Sequence, residues 1–495
     1  MTRLILACSI LLSLFVCSAA PAQQHTQPTP NIVFFLVDDY GWMDTGYGGS
    51  SFYQTPNIDK LAASGMVFTN AYAACPVCSP TRVSIMSGKH PARLDTTDFF
   101  GALQGSGVRR MIAEGRDNRW TRQPLIPADY VPQLPLDEVS LAEAFKAEGY
   151  ATFFAGKWHL GGTGFGPTKQ GFDINIGGTR GGGPYGGGKY FHPLNYLPNM
   201  TSEPGDHLPD RLARETSKFI TEHKDGPFLA YLSFYSVHTP LMGRPDLVEK
   251  YKQIRSQMEI DDEVWGVEGA RKVRLVQEHA VYAAMVEAMD QAVGDVLDTL
   301  EEQGLADNTV VVFFSDNGGL STSEGHPTSN LPLRAGKGWL YEGGVREPCI
   351  VRWPGRTEPG SSSDVPIISN DFYPTLLDMT GLAAMPEQHV DGTSFASILT
   401  GEVEDHRRGP LFWHYPHYGN QGGSPGGAIR LGDWKLIEWY TPGRPLELYN
   451  LTEDIGETNN LAEANPERAQ ELHALLQAWR DEVDAKMPTP NPKVP

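Results

Sequence analysis

Four apolar runs, each ending abruptly in polar residues, organise the first two-thirds of the chain. Residues 31–37, Asn-Ile-Val-Phe-Phe-Leu-Val, stop at Asp38-Asp39, and residues 309–314, Thr-Val-Val-Val-Phe-Phe, stop at Ser315-Asp316-Asn317-Gly318-Gly319. Residues 150–155 lead into Gly156-Lys157-Trp158-His159, and residues 228–235 into Ser236-Val237-His238-Thr239-Pro240. Short apolar runs without polar alternation predict strands buried on both faces. Between them, residues 141–148 and 281–303 carry helical periodicity, the second with Gly304 placed to cap it. Strands alternating with helices predict an α/β fold, a large, mostly parallel sheet flanked by helices. Ligands of such sheets lie beyond the carboxyl ends of the strands. The four polar clusters, spread from Asp38 to Asn317, are therefore expected to meet in one site.

After Gly401 the texture changes. Residues 410–418, 428–440 and 447–450 predict short strands and 466–483 a helix, together a small antiparallel C-terminal subdomain. The glycine-rich stretch 177–188 reads as a surface loop, and no internal repeat stands out. At the N-terminus, Arg3 precedes an apolar run over residues 4–16, followed by small residues through Ala20-Pro21-Ala22. That run is shorter than the ~20 residues a membrane span requires. It reads as a cleaved export signal, giving a periplasmic or secreted protein with no span in the mature chain. Phe15 and Val16, bulky before Cys17, argue against lipidation. The expected division is a signal at 1–22, a catalytic domain at 23–403, the C-terminal subdomain at 404–486 and a tail at 487–495.

Charge and cysteine usage narrow the chemistry. A chain of 495 residues can bury a large core, and its formal net charge of -20 repels polyanions, which excludes nucleic acid as an expected partner. An anionic substrate must then be held by a few local cations. Of five cysteines, Cys8 and Cys17 fall in the signal, leaving Cys75, Cys78 and Cys349. An odd number does not describe a disulfide framework. One of the three is thus free for chemistry, and whether Cys75 and Cys349 pair stays open.

The segment Cys75-Pro-Val-Cys78-Ser79-Pro80-Thr81-Arg82 introduces a helical stretch, with Pro80 suited to its first turn. Cys78 would then sit where backbone N–H groups favour an anion. Cys78-x-Pro80-Thr81-Arg82 resembles the C-x-P-S/T-R signature of the formylglycine-dependent sulfatases, a family with an alkaline phosphatase-like fold. The resemblance extends from Asn31 to about Pro354. It implies that a maturase oxidises Cys78 to formylglycine (3-oxoalanine), whose hydrated aldehyde attacks sulfur. It also implies that Asp38, Asp39, Asp316 and Asn317, with residue 78 itself, hold a metal ion. All-oxygen ligands suit a hard cation, calcium ahead of magnesium. By the same resemblance Lys157 and Lys337 grip sulfate oxygens, His159 handles the formylglycine hydroxyl proton, and His238 binds substrate and protonates the leaving alcohol. Arg82 is matched to the formylglycine hydroxyl and the metal-site carboxylates. On the sequence alone, Lys157 and His159 lie two apart, so an extended backbone would send both to one side.

These residues imply hydrolysis of a sulfate ester, with a sulfated carbohydrate of galactose or N-acetylgalactosamine type as the expected substrate. His414 and His417, in the aromatic segment at residues 412–418, are candidates for sugar recognition. Two rival readings are a phosphodiester or phosphonate monoester hydrolase of the same superfamily and an inactive, calcium-stabilised glycan-binding protein.

Overall fold

The first apolar run is a strand with two buried faces. In the computed structural model, which describes residues 29–260, 263–402 and 408–494, β1 (Asn31–Val37) sends Val33, Phe35 and Val37 into one hydrophobic core and Ile32, Phe34 and Leu36 into another. The expected export signal and the expected junction at residues 403–404 lie outside the described residues. Continuous burial on both sides explains why the run lacks polar alternation.

β2 (Met66–Phe68), β3 (Ala151–Gly156), β4 (Ile174–Ile176), β5 (Phe228–Ser233), β6 (Thr309–Ser315), β7 (Cys349–Arg352) and β8 (Ser361–Ser363) complete an eight-stranded sheet in the order β8-β2-β7-β6-β1-β5-β3-β4. From β6 through β4 neighbouring strands run parallel, whereas β7 is antiparallel to both β6 and β2. The sheet is mixed and mostly parallel, as the alternation of strands and helices implies. Helices α1 (Pro56–Ser64), α2 (Cys78–Ser87), α3 (Leu141–Ala147), α4 (Leu208–Glu222), α5 (Ala280–Glu302) and α6 (Phe372–Met379) divide between its faces. Ile58, Leu212 and Met285 bring α1, α4 and α5 to one face, and Val83, Phe145 and Leu376 bring α2, α3 and α6 to the other. Local signals mark the helix ends. Ser140 and Glu143 form a capping box at the start of α3, and Gly304 follows α5 with a left-handed φ of 68°.

The C-terminal strands β9 (Leu411–Tyr415), β10 (Gly426–Leu431), β11 (Trp434–Trp439) and β12 (Glu447–Asn450) form an antiparallel meander. Helix α7 (Pro466–Glu482) covers it, packing Leu472 and Leu476 against Ile429 and Leu436. The run at 428–440, expected as one strand, is two, because Gly432 turns the chain at a φ of 61°. The final residues are fastened rather than trailing. Thr489–Pro490 pairs with Leu125–Ile126, and Asn491 donates to the carbonyls of Thr121 and Gln123.

The meander is tied to the segment that carries Glu342 by buried charge. Lys435 on β11 lies between Glu342 and Glu457, 2.9 Å from a carboxylate oxygen of each, with all three side chains fully buried or nearly so. Glu342 also accepts from Tyr72, and its backbone N–H donates to Glu457. Removing one member of a buried charge cluster strands the others without water. Lys435→Ala is therefore expected to lose about 3–5 kcal/mol of stability, and Lys435→Met less, in urea unfolding followed by fluorescence. Equal stability of Lys435→Ala and wild type would contradict the role given to this triad.

Candidate active site

Strand register brings the polar clusters level. Leu36 pairs with Phe314 and with Ser233, and Ser233 with Gly156, so one row crosses four parallel strands just before each reaches its polar end. Beyond the row the chains remain bonded. The Asp38 N–H donates to Ser236, Val237 to Asp38, Asp316 to Val37 and Lys157 to Ser233, all at 2.7–3.0 Å. Gly156 permits this closeness, because a Cβ there would lie 1.8 Å from the Ser233 carbonyl oxygen.

Helix α2 inserts between these ends with every residue buried, and Cys78 opens it. Cys75, Cys78 and Cys349 are all free thiols, which settles the pairing question. Asp38, Cys78 and Asp316 each offer a ligand atom within 4.8 Å of the others, as do Asp38, Asp39 and His238. Arg82, four residues along α2 from Cys78, donates to Asp316 at 2.7 Å, to the Lys157 carbonyl at 2.7 Å and to the Ser233 hydroxyl at 2.6 Å. Lys157 reaches Asp38 at 2.6 Å, and Lys337 pairs with Asp39. Asn317 donates to Asp39 at 2.8 Å. Lys337 arrives from a distant loop through backbone packing: its N–H donates to the Gly319 carbonyl, and a Cβ on Gly318 would lie 1.9 Å from the Gly343 carbonyl oxygen.

The ten residues matched by the family resemblance thus converge. The reason given for Lys157 and His159 does not hold, because the backbone between them is not extended. His159 has a left-handed φ of 55° and Asp39 one of 61°, conformations non-glycine residues adopt only when their surroundings enforce them.

Each carboxylate of the site has one cationic partner, yet burial and mutual repulsion keep the cluster costly. Burial, with Asp316 and Asp39 adding repulsion, pushes Asp38 well above the usual carboxylate range against the pull of Lys157. Burial acts on Asp39 in the same direction, but Lys337, His238 and Lys157 outweigh it and hold this carboxyl low. Asp38 Oδ1, Asp39 Oδ2 and Asn317 Oδ1 are buried with no hydrogen-bond partner. Orphaned buried oxygens are costly. Three of them, on residues from two adjacent strand ends, fit a divalent cation.

The two histidines differ in tautomer. His159 Nε2 lies 3.0 Å from the Phe100 carbonyl, which can only accept, so Nε2 carries the proton and the unpartnered Nδ1 is free to take one. His238 Nδ1 lies 2.8 Å from the Thr239 carbonyl, so there Nδ1 is protonated, and Nε2 stands 3.7 Å from Asp39. Burial, reinforced by Lys157, holds His159 well below the ordinary range, and burial brings His238 down to about 4 against the pull of Asp39.

A cleft of about 310 Å³ opens over Cys78, His159, His238 and Lys337. Phe99, Phe100, Tyr185, Glu324, Asn420 and Gln421 supply its outer wall, and none was singled out from the sequence. The glycine-rich stretch is not a plain surface loop. Gly182 packs on the His159 ring, and Tyr185 Oη stands 3.3 Å from His238 Nδ1. His414 and His417, expected to face sugar, are turned inward. His414 bonds Tyr440 and the Lys486 carbonyl, and His417 bonds Thr97, with 2% and 1% of their surfaces exposed. Their aromatic strand is core, which leaves recognition to the loops.

Comparison with known proteins agrees with this geometry. The family model for sulfatases matches residues 30–382, and a model described as N-sulphoglucosamine sulphohydrolase, C-terminal, matches residues 335–483. A sulfatase of Formosa agariphila is 33% identical over 93% of this chain and 90% of its own length. N-acetylgalactosamine-6-sulfatase of Canis lupus familiaris is 30% identical, over 86% of this chain and 75% of its own. The crystal structure of Ps i-CgsB in complex with k-i-k-neocarrahexaose superposes with a TM-score of 0.72 at 27% identity, covering 91% of this chain and 92% of that one.

If the orphaned oxygens hold a divalent cation, chelation is expected to lower the melting temperature and cation to restore it. Occupancy at a hundredfold excess over Kd adds about 2.7 kcal/mol. Asp38→Ala is expected to erase the cation-dependent shift in the same thermal melts. A shift that persists in this variant would place the cation elsewhere.

Proposed function

The chain belongs to the sulfatase family and is a sulfuric ester hydrolase, and from that premise we propose that it releases sulfate from a sulfated carbohydrate in the cleft above Cys78. The observation that carries this reading is the ring of buried cationic groups, Arg82, Lys157 and Lys337, around one buried cysteine at a helix N-terminus. Such a site favours a tetrahedral anion and the charge that develops as it is transferred.

The all-oxygen set of Asp38, Asp39, Asp316 and Asn317 suits calcium better than magnesium, since only one or two carboxylates and several waters are the habit of the smaller ion. Bound there, calcium would polarise a sulfate oxygen. Oxidised to formylglycine by a maturase, residue 78 would supply a hydrated aldehyde as nucleophile in place of the thiol, whose ionisation burial disfavours. Lys157 and Lys337 give up their carboxylate partners to hold sulfate oxygens. His159 Nδ1 accepts a proton from the residue 78 hydroxyl. His238 Nε2 hands one to the leaving oxygen, and the anionic ester beside it offsets the burial that keeps this ring neutral in the free site.

The carbohydrate assignment is supported by relatives whose names specify N-acetylgalactosamine 6-sulfate chemistry and by the structural neighbour bound to a neocarrahexaose. Galactose- or N-acetylgalactosamine-type units are the first choice. No helix among the described residues is long and apolar enough to cross a membrane.

Cys78→Ala and Cys78→Ser are expected to abolish turnover without unfolding the protein. Peptide mass spectrometry of the active enzyme is expected to find a mass deficit at residue 78. Full activity in Cys78→Ala would overturn the nucleophile. A screen of sulfated galactose and N-acetylgalactosamine against an aryl phosphodiester tests the reaction class. Faster release of the phenol from the aryl phosphodiester than of sulfate from the sugars would favour a phosphodiesterase, and no turnover of any ester a binding protein.

A further inference from the structure

One wall of the cleft carries the carboxylate of Glu324. Glu324 stands at a left-handed φ of 52°, half-buried at the rim of the cleft. Its Oε1 accepts from Asn420 Nδ2 at 3.0 Å and Gln421 Nε2 at 2.8 Å, two amides contributed from beyond residue 408 by the loop between β9 and β10. A carboxylate oxygen only accepts, so these contacts fix the orientation of both amides. They leave Asn420 Oδ1 and Gln421 Oε1 buried with no partner, on a Gln421 that is 3% exposed. Glu324 Oε2 is occupied only by Thr239 Oγ1, at 3.4 Å. No lysine or arginine forms an ion pair with Glu324 among the described residues.

The loop is held firmly in this position. The Gln421 carbonyl accepts from Thr322 Oγ1 at 3.0 Å and from Trp339 Nε1 at 3.2 Å, so the wall is present before any ligand arrives. A carboxylate held at the rim of the cleft with no cation paired to it rewards a donor-bearing face and penalises an anionic one. The sulfate pocket, by contrast, is cationic. The cleft is therefore divided into a floor that takes one anion and a wall that rejects a second.

We propose that Glu324 is a specificity-determining residue, which accepts a hydrogen bond from a free hydroxyl on the sugar ring that carries the scissile sulfate and turns away rings with a second sulfate or a carboxylate on that side. The proposal rests on the carbohydrate reading above and names the kind of ring it admits, singly sulfated and otherwise neutral there.

The test compares kcat/KM for wild type, Glu324→Gln and Glu324→Ala on three probes: 4-nitrophenyl sulfate, singly sulfated galactose and N-acetylgalactosamine, and the same sugars sulfated on an adjacent hydroxyl as well. Wild type is expected to prefer the singly sulfated sugars. Glu324→Gln, which keeps the shape and removes the charge, is expected to narrow that preference at least tenfold, mainly by faster turnover of the doubly sulfated sugar. Glu324→Ala is expected to lower turnover of the singly sulfated sugar relative to the aryl sulfate by roughly ten- to hundredfold. Unaltered ratios in both variants overturn the proposal. Equal losses on sugar and aryl sulfate with a displaced pH profile also overturn it, since Glu324 would then act through His238. Wild-type turnover of the aryl sulfate with none of any sulfated sugar rejects the carbohydrate reading itself, and this proposal with it.

Discussion

Everything at the site follows from placing Asp38, Asp39 and Asp316 together where water cannot reach them. Each of the three is fully buried, and like charges at that separation oppose one another strongly in a medium less polar than water. The protein answers with Arg82 on Asp316, Lys157 on Asp38 and Lys337 on Asp39. Those pairs leave oxygens on Asp38, Asp39 and Asn317 unsatisfied. These unsatisfied oxygens, on two adjacent strand ends, fit a divalent cation.

Such a cluster can persist only on a stiff support. The sheet supplies it through strands buried on both faces, with large aromatic side chains stacked between them. Phe34 and Tyr231, on neighbouring strands, have ring centroids 4.8 Å apart, and Phe34 meets Phe372 of α6 edge-on at 5.3 Å. Helix α2 is packed equally tightly, so Cys78 and Arg82 are presented from opposite ends of one turn with little freedom. The left-handed backbone at Asp39 and His159 is tolerated because this frame enforces it.

Chemistry and recognition come from different parts of the molecule. The charged floor derives from strand ends and α2, whereas the outer wall derives from the glycine-rich stretch, the segment around Glu324 and the β9–β10 loop. The buried Lys435 triad and the contacts of Gln421 fasten the C-terminal sheet against the loop that carries Lys337.

The sequence alone announced the four strands whose ends meet at the site and the helices at 141–148, 281–303 and 466–483, and the family resemblance pointed to the ten residues of the floor. An apolar run is announced by its hydrophobicity and its end by the abrupt change to Asp, Lys or His, whereas Cys78, Arg82 and Lys337 are legible only through the motif and the family resemblance. Parallel topology then obliges such ends to meet. Tertiary structure alone decided the remainder. Glu324 and Gln421 are nearly a hundred residues apart, and nothing in either segment signals that their side chains will bond. His414 and His417 stood as candidates for sugar recognition because composition cannot tell a core face from a binding face. The tautomers of His159 and His238 were equally invisible, since they depend on the carbonyls of Phe100 and Thr239. A residue's chemistry is written in its side chain, but its partner, its exposure and its proton are settled by whatever the fold brings against it.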